Sequence, residues 1–329
     1  MADVARTIPL LDLPHREARK LASSGAPIYL PVNPVEYHGP HLSLHNDGLV
    51  SLGLIRDLGA RLHKKHDWPL LVAPDLEIGV EPSPGVGSRW THLPVARTIV
   101  KEACRALAEL GAKRVVLMTF HGAPLHALAI EAGVSLLRDH GVKALAPFNA
   151  ILRELLGNAG ANHAAAFRHV SDALEREEMQ SNLHRDFHAG FFETCVALHC
   201  APESVDAKYT ELPPCPPVTP NANWARAARA AKRTGRPGLA QELDLISYAM
   251  GWHALDPFPG YTGRPHRATR EAGDYFANVI VDIYEKLAES VLVGDAKSPE
   301  PILGWTGAFT LSGRIVPQRK SAKFAERLA

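Results

Sequence analysis

Residues 31 to 47, PVNPVEYHGPHLSLHND, place Glu36, His38, His41, His45 and Asp47 within a dozen positions, directly after the β-prone run Ile28-Tyr29-Leu30-Pro31-Val32. Imidazoles mixed with carboxylates suit zinc, manganese or iron better than calcium, which prefers cages of oxygen alone. Glu36 and His38 alternate by two, so a strand continuing through them would project both side chains from one face. Asp47 could return to the same point and offer one oxygen to each of two cations. Spacing alone leaves a second reading open, a solvated loop whose histidines cap backbone groups.

Two more stretches bear on the choice. TFHGAPLH sets His121 at once behind the apolar run RVVLMTF (114–120), a place where a polar cap on a strand is as natural as a ligand. FHAGFFETC (187–195) holds His188 and Glu193 five residues apart, with Ala189-Gly190 permitting close approach between them. A glutamate framed by Phe191 and Phe192 needs a partner, because burying it unpaired is costly, and a metal is one way to supply it.

The elements that must position these residues follow from periodicity. Ile28–Val32, residues 69–76, residues 114–120 and a short run near 142–147 read as strands. Between them lie helical stripes through Ile55, Leu58 and Leu62, through Val100, Cys104 and Leu107, and through Leu125, Leu128, Ala129, Ala132 and Leu136. A further helix is expected from Ala164 to Met179, and a strong last one within 263–287, with Phe276, Val279, Ile280, Ile283 and Leu287 facing inward. Alternating strands and helices with short connections predict a mainly parallel sheet covered on both faces, in which ligands gather at the carboxyl ends of the strands. Residues 201–222, APESVDAKYTELPPCPPVTPNA, are proline-rich and read as a long excursion or lid, and the tail 298–329 reads as irregular and available to a neighbouring subunit.

Composition sets the outer limits. A chain of 329 residues with 46% apolar content can bury a large core in one α/β domain, taken here as residues 1–297. A net charge of +1 gives no broad footprint for nucleic acid or an anionic membrane. The first 27 residues lack an apolar leader core and no run approaches a membrane span, so a cytoplasmic location and a small-molecule partner are expected. Cys104, Cys195, Cys200 and Cys215 show neither metal-type pairs nor disulfide density. Cys104 reads as core, and a catalytic thiol at Cys195 lacks any visible activating environment.

With these residues in view, the sequence resembles the creatininase-like metal-dependent amidohydrolases. PVNPVEYHGPHLSLHND is similar to that family's proline-valine-x-x-x-glutamate-x-histidine-glycine-proline-histidine-leucine signature with its following aspartate. HGAP stands where the family has histidine-glycine-glycine-asparagine, HAGFFET looks like its histidine-alanine-glycine-x-x-glutamate-threonine stretch, and GYTGRPHRATREAG (260–273) is similar to its late glycine-rich segment. The resemblance implies a three-layer α/β/α sandwich, a two-metal site and hexameric assembly. Carried over by position, Glu36 and His121 would hold one divalent ion, His38 and Glu193 the other, and Asp47 would bridge them. Zinc is the expected metal, with manganese or iron as alternatives. His188 would move a proton to the departing nitrogen as metal-activated water hydrolyses a non-peptide C–N bond of a cyclic or linear amide.

The departures are specific. Ala123 stands where creatininase itself carries a further glutamate, which argues against strict creatinine hydrolysis, and Pro124 replaces the usual asparagine. GVGSRWTHLPVART (85–98) lacks the family's serine-x-glutamate-histidine pattern, leaving Trp90 and His92 as local substitutes or, more simply, packing residues. His41, His45 and His126 are read in the same way, as packing residues before substrate contacts, with His41, which belongs to the signature, supporting the ligands from behind. Two other classes stay in play: a metallopeptidase or phosphoester hydrolase using the same ions, and a non-catalytic scaffold that keeps its metals.

Overall fold

The computed structural model describes residues 6–156, 159–311 and 313–315. Five parallel strands form the centre: Thr7–Pro9 (β1), Pro27–Pro31 (β2), Leu70–Val72 (β3), Arg114–Met118 (β4) and Lys143–Leu145 (β5), in the spatial order β1-β3-β2-β4-β5. With every strand running the same way, all carboxyl ends open on one edge, and the histidine-bearing segments after β2 and β4 emerge there side by side.

Each interior strand is apolar on both faces and divides its residues by parity. Ile28, Leu30, Val115, Leu117 and Leu71 pack into one cluster, while Tyr29, Val116, Met118, Leu70 and Val72 pack into the other. The first face is covered by His15–Ala22 (α1), Leu93–Leu110 (α3) and Pro124–Asp139 (α4), once Asn46–His66 (α2) has crossed to the second. That second face also receives Phe148–Leu156 (α5), Phe191–Cys200 (α7) and Arg270–Ala288 (α10). The result is the three-layer α/β/α arrangement. Helix α2 alone sinks Val50, Leu54, Ile55, Leu58 and Leu62 into the core, each worth roughly 1.5–3 kcal/mol of burial.

The expected helix over 164–179 is two pieces. A 3₁₀ stretch over Ala159–Phe167 is followed by Ala173–Ser181 (α6), whose Asp172 accepts the backbone N–H groups of Leu174 and Glu175 at 2.8 and 3.0 Å and so restarts the helix. The last strong helix begins later than expected, at Arg270, and turns Ala277, Val281 and Tyr284 inward with Phe276 and Ile280, leaving Val279 half-buried.

The proline-rich stretch leads into two helices absent from the sequence reading, Ala222–Arg233 (α8) and Pro237–Trp252 (α9), which pack through a small core of Ala228, Ala231, Ala240 and Leu243. The tail expected over 298–329 lies partly outside the described residues; its described part contains a short helix, Thr306–Phe309 (α11), and returns to its own chain, where Glu242 on α9 accepts the Leu303 N–H at 3.1 Å and the Trp305 indole N–H at 2.8 Å. Among the described residues no helix is long and apolar enough to cross a membrane.

Candidate metal centre

Six side chains meet at the carboxyl edge of the sheet, and all are buried: Glu36, His38, Asp47, His121, His188 and Glu193. The local reason for the first pair differs from the sequence reading. Strand β2 ends at Pro31, so Glu36 and His38 lie in the loop beyond it rather than alternating along a strand. They converge because the loop folds back, with the Glu36 N–H donating to the Leu44 carbonyl at 2.9 Å. Asp47 stands in the first turn of α2 and Glu193 in the first turn of α7, where free backbone N–H groups favour a carboxylate. His121 follows β4 by three residues, and His188 precedes α7 in a turn where Ala189 holds φ at 46° and its N–H donates to Glu193. Helix α7 can seat Glu193 because α10 crosses it at Gly273, where a Cβ would come within 2.0 Å of the Cys195 carbonyl oxygen.

The ligand-type atoms sort into overlapping groups, Glu36–Asp47–His121, His38–Asp47–Glu193 and Glu36–His38–His188, each with its atoms within 4.8 Å of one another. Asp47 belongs to two of them. Its Oδ1 lies 3.3 Å from His38 Nε2 and its Oδ2 lies 3.7 Å from His121 Nδ1.

Backbone carbonyls fix which nitrogen of each ring is free. His38 Nδ1 is 3.0 Å from the Glu36 carbonyl oxygen, His121 Nε2 is 3.0 Å from that of Val80, and His188 Nε2 is 3.0 Å from that of Tyr37. A carbonyl only accepts, so each of those nitrogens carries the proton and the opposite one is turned to the carboxylates. His121 Nδ1 is 2.9 Å from Glu36 Oε2, His38 Nε2 is 3.5 Å from Glu193 Oε1, and His188 Nδ1 is 3.9 Å from Glu36 Oε1. With the rings neutral, lone pairs would thus face lone pairs. Both oxygens of Asp47 and Oε2 of Glu36 are buried with no directed hydrogen bond, the short approach of His121 notwithstanding. Such an arrangement is costly unless positive charge sits between the groups. A divalent cation in each of the two groups that share Asp47 fits this donor set.

The electrostatics carry the same demand. Burial alone would keep His38 neutral, but Asp47 and Glu193 beside it raise its pKa well above the ordinary value; His121 is likewise disfavoured by burial yet lifted to about 9, chiefly by Glu36. Glu36 and Glu193 are held below the usual range, since the facing imidazoles outweigh their desolvation. Asp47 goes the other way. Burial lifts it to about 6 despite His38. His188 stays neutral, its pKa lowered by burial and by the neighbouring His38. Cations, whether protons or metal ions, are drawn to the Glu36–His38–Asp47–His121 core and not to His188.

The supporting residues take definite places. His41 Nε2 pairs with Thr194 Oγ1 at 2.9 Å, next to Glu193. His126 lies between Val32 and Thr119, its Nε2 3.0 Å from the Val32 carbonyl, and burial drops its pKa to about 3. His45 and His92 are exposed at helix starts. Ala123 and Pro124 open α4, where Glu81 accepts the Leu125 N–H at 3.1 Å. Cys195 is buried and its pKa is driven far up by desolvation, so no thiolate is available there. The sequence reading passed over two neighbours of the site. Asn46 donates to Glu193 Oε1 at 3.3 Å and stands next to Asp47 in the quoted segment, where it could have been found. Trp252 approaches His188, ring centroid to centroid 5.2 Å, and no motif points to it.

Comparisons with known proteins establish the family and the fold. A family model described as creatinine amidohydrolase (creatininase) matches residues 12–288. A mycofactocin precursor peptide peptidase from Mycobacterium tuberculosis is 30% identical over 151 residues, which span 41% of this chain and 56% of that relative. Among solved structures, a creatinine amidohydrolase superposes with a TM-score of 0.54 at 19% identity, covering 86% of this chain and 96% of the other. Creatininases solved in a manganese form and, as a variant, in a zinc–zinc form give TM-scores of 0.52 and 0.53 at 18% identity, covering 87% and 86% of this chain and 98% and 97% of theirs. With the family match running nearly from end to end of the α/β sandwich, the chain belongs to the creatininase family.

Proposed function

We propose that the chain is a metal-dependent hydrolase of amide-type C–N bonds. The observation that carries this reading is the locking of three imidazoles by backbone carbonyls, which turns one free nitrogen of each toward three buried carboxylates. In this reading Glu36 and His121 would hold one ion, His38 and Glu193 the other, and Asp47 would serve both. Zinc suits the mixed imidazole and carboxylate set, and the solved relatives in zinc–zinc and manganese forms support those two metals. Two bound ions would supply a water acidified to near neutrality as the nucleophile.

The remaining steps belong to the protein. His188, neutral and with Nδ1 free, accepts a proton at that atom and returns it to the leaving nitrogen. The Tyr37 carbonyl holds the ring while it does so, and burial of the whole cluster keeps bulk water from competing for the proton.

The first substrate class is a small cyclic or linear amide. A second reading, peptide-bond cleavage, is favoured by the name of the mycobacterial relative and by the missing glutamate at Ala123. Metal-loaded protein incubated with a panel of cyclic amides, ureides and short peptides decides between them by product analysis. Turnover confined to peptides would replace the first reading, and turnover of neither after confirmed loading with two ions per chain would overturn hydrolysis.

A further inference from the structure

The ring of His188 is gripped from two sides, and only one of them belongs to the metal cluster. On one side His38 stacks on it, centroid to centroid 4.4 Å. On the other lies Trp252, the last residue of α9, tilted against it at 5.2 Å and itself fully buried. Trp252 cannot swing freely, because its indole N–H donates to the Tyr261 carbonyl at 2.9 Å and its ring packs on Phe258 and Phe187 at 4.7 and 5.5 Å.

What sets the place of Trp252 is the end of α9, and that end is held by the proline-rich stretch. Ser247 donates its hydroxyl to the Asn221 carbonyl at 2.8 Å, and the Asn221 N–H returns to the Ser247 carbonyl at 2.9 Å. One turn further on, the backbone of Gly251 passes so close to residue 219 that a Cβ would lie 2.2 Å from the Thr219 carbonyl oxygen. The segment over 212–221 has no regular secondary structure and is rich in proline, which limits its ability to yield. A rigid strap therefore fixes a helix end, the helix end fixes an indole, and the indole presses on the imidazole assigned to proton transfer.

We propose that Trp252 is a positioning residue for His188, and that residues 212–221 act through Gly251 to set where the indole stands. The proposal rests on the reading of His188 as a proton carrier, but its structural half can be tested without turnover. Misplacing a reacting group by about 1 Å can cost about 10² in rate, so the displacement need not be large to be seen.

The experiment uses three full-length variants, Gly251→Ala, Trp252→Leu and Trp252→Phe, with two readouts. The first is the nitrogen-15 histidine spectrum of the metal-free protein, in which the buried His188 Nε2–H bonded to Tyr37 gives a slowly exchanging signal, assigned by its loss in His188→Asn. Gly251→Ala and Trp252→Leu should speed its exchange at least about tenfold, while Trp252→Phe, which keeps a ring against the imidazole, retains slow exchange. The second readout, on whichever amide or peptide the wild type hydrolyses, is a fall in kcat of about 10- to 100-fold for the first two variants, with KM within about threefold and both metals retained. An unchanged His188 ring signal in both Gly251→Ala and Trp252→Leu overturns the proposal whether or not a substrate is known. Loss of metal in step with activity overturns it too, since Trp252 would then support the ligands. If the wild type hydrolyses nothing, the ring signal alone decides, and a failure of the proposed function stays separate from a failure of this inference.

Discussion

His38 and His188 stack face to face at the centre of the site, 4.4 Å between centroids and 28° between planes, yet they are driven to opposite protonation behaviour. The free nitrogen of His38 looks at two carboxylates, and that of His188 looks only toward Glu36 at 3.9 Å. Two imidazolium rings at this separation would repel, so one takes the positive environment and the other is left neutral.

From that division, His188→Asn should retain both metals and lose about 10²–10⁴ in rate, the usual cost of removing a positioned acid or base. Elemental analysis beside a rate measurement checks it. Metal lost in parallel with activity would move His188 into the coordination sphere through the Glu36–His38–His188 grouping.

Asp47 is shared by two candidate groups, and neither of its oxygens has another hydrogen-bond partner. Asp47→Ala should therefore empty the site more completely than any other single ligand change. Two metals per chain retained in that variant, counted by mass spectrometry under native conditions, would contradict the shared role.

For Glu193 the informative change is to glutamine, which keeps the shape and the acceptor for the Ala189 N–H but binds cations poorly. Metal occupancy should fall while the circular dichroism spectrum stays that of the wild type. An unaltered metal content would leave Glu193 as a buried carboxylate satisfied by Asn46 and Ala189.

Proton competition gives a pH signature. In the metal-free protein His121 titrates at about 9, so near neutrality a cation must displace its proton before ligating. Metal affinity should rise with pH by about tenfold per unit between pH 6 and 9 and then level off. The sign for folding is the reverse. A His pKa raised above its ordinary 6.5 stabilises the metal-free fold fully below that value, and the contribution is lost as pH rises through about 9. Chelator-treated protein should thus melt earlier at pH 9 than at pH 6.5, and the metal-loaded protein should not show that loss; a flat affinity profile would refute the displacement.

Part of this candidate centre is legible in the chain because some of its residues follow strands whose apolar runs are unmistakable, as with His121 after Val115-Val116-Leu117-Met118. The spacing of Glu36 and His38 suggested the right neighbours for an incorrect reason, since strand alternation has ended before them. What fixes the ring orientations is hidden from sequence. The carbonyl that sets the His121 tautomer comes from Val80, and the one that sets His188 comes from Tyr37, 151 positions away, and neither leaves a mark in residue type. Helices α8 and α9 escaped for another reason. The buried face of α8 is alanine, at Ala228 and Ala231, too short a contrast with the surrounding arginines to stand out as a stripe, and that of α9 mixes Ala240, Leu243, Ser247, Gly251 and Trp252, so polar and glycine positions break its pattern.

The hairpin of α8 and α9 keeps its own small core and, among the described residues, touches the candidate metal cluster in its final turn, at Trp252. Descent with change can therefore act on the two parts at different speeds. The candidate ligands lean on one another from the loops beyond β2 and β4 and from the first turns of α2 and α7, so a replacement at any of them disturbs the whole cluster. Changes confined to α8 and the start of α9 should leave the cluster in place, provided the indole of Trp252 keeps its position. A lineage could in this way try new substrates without ever passing through a form that has lost its chemistry.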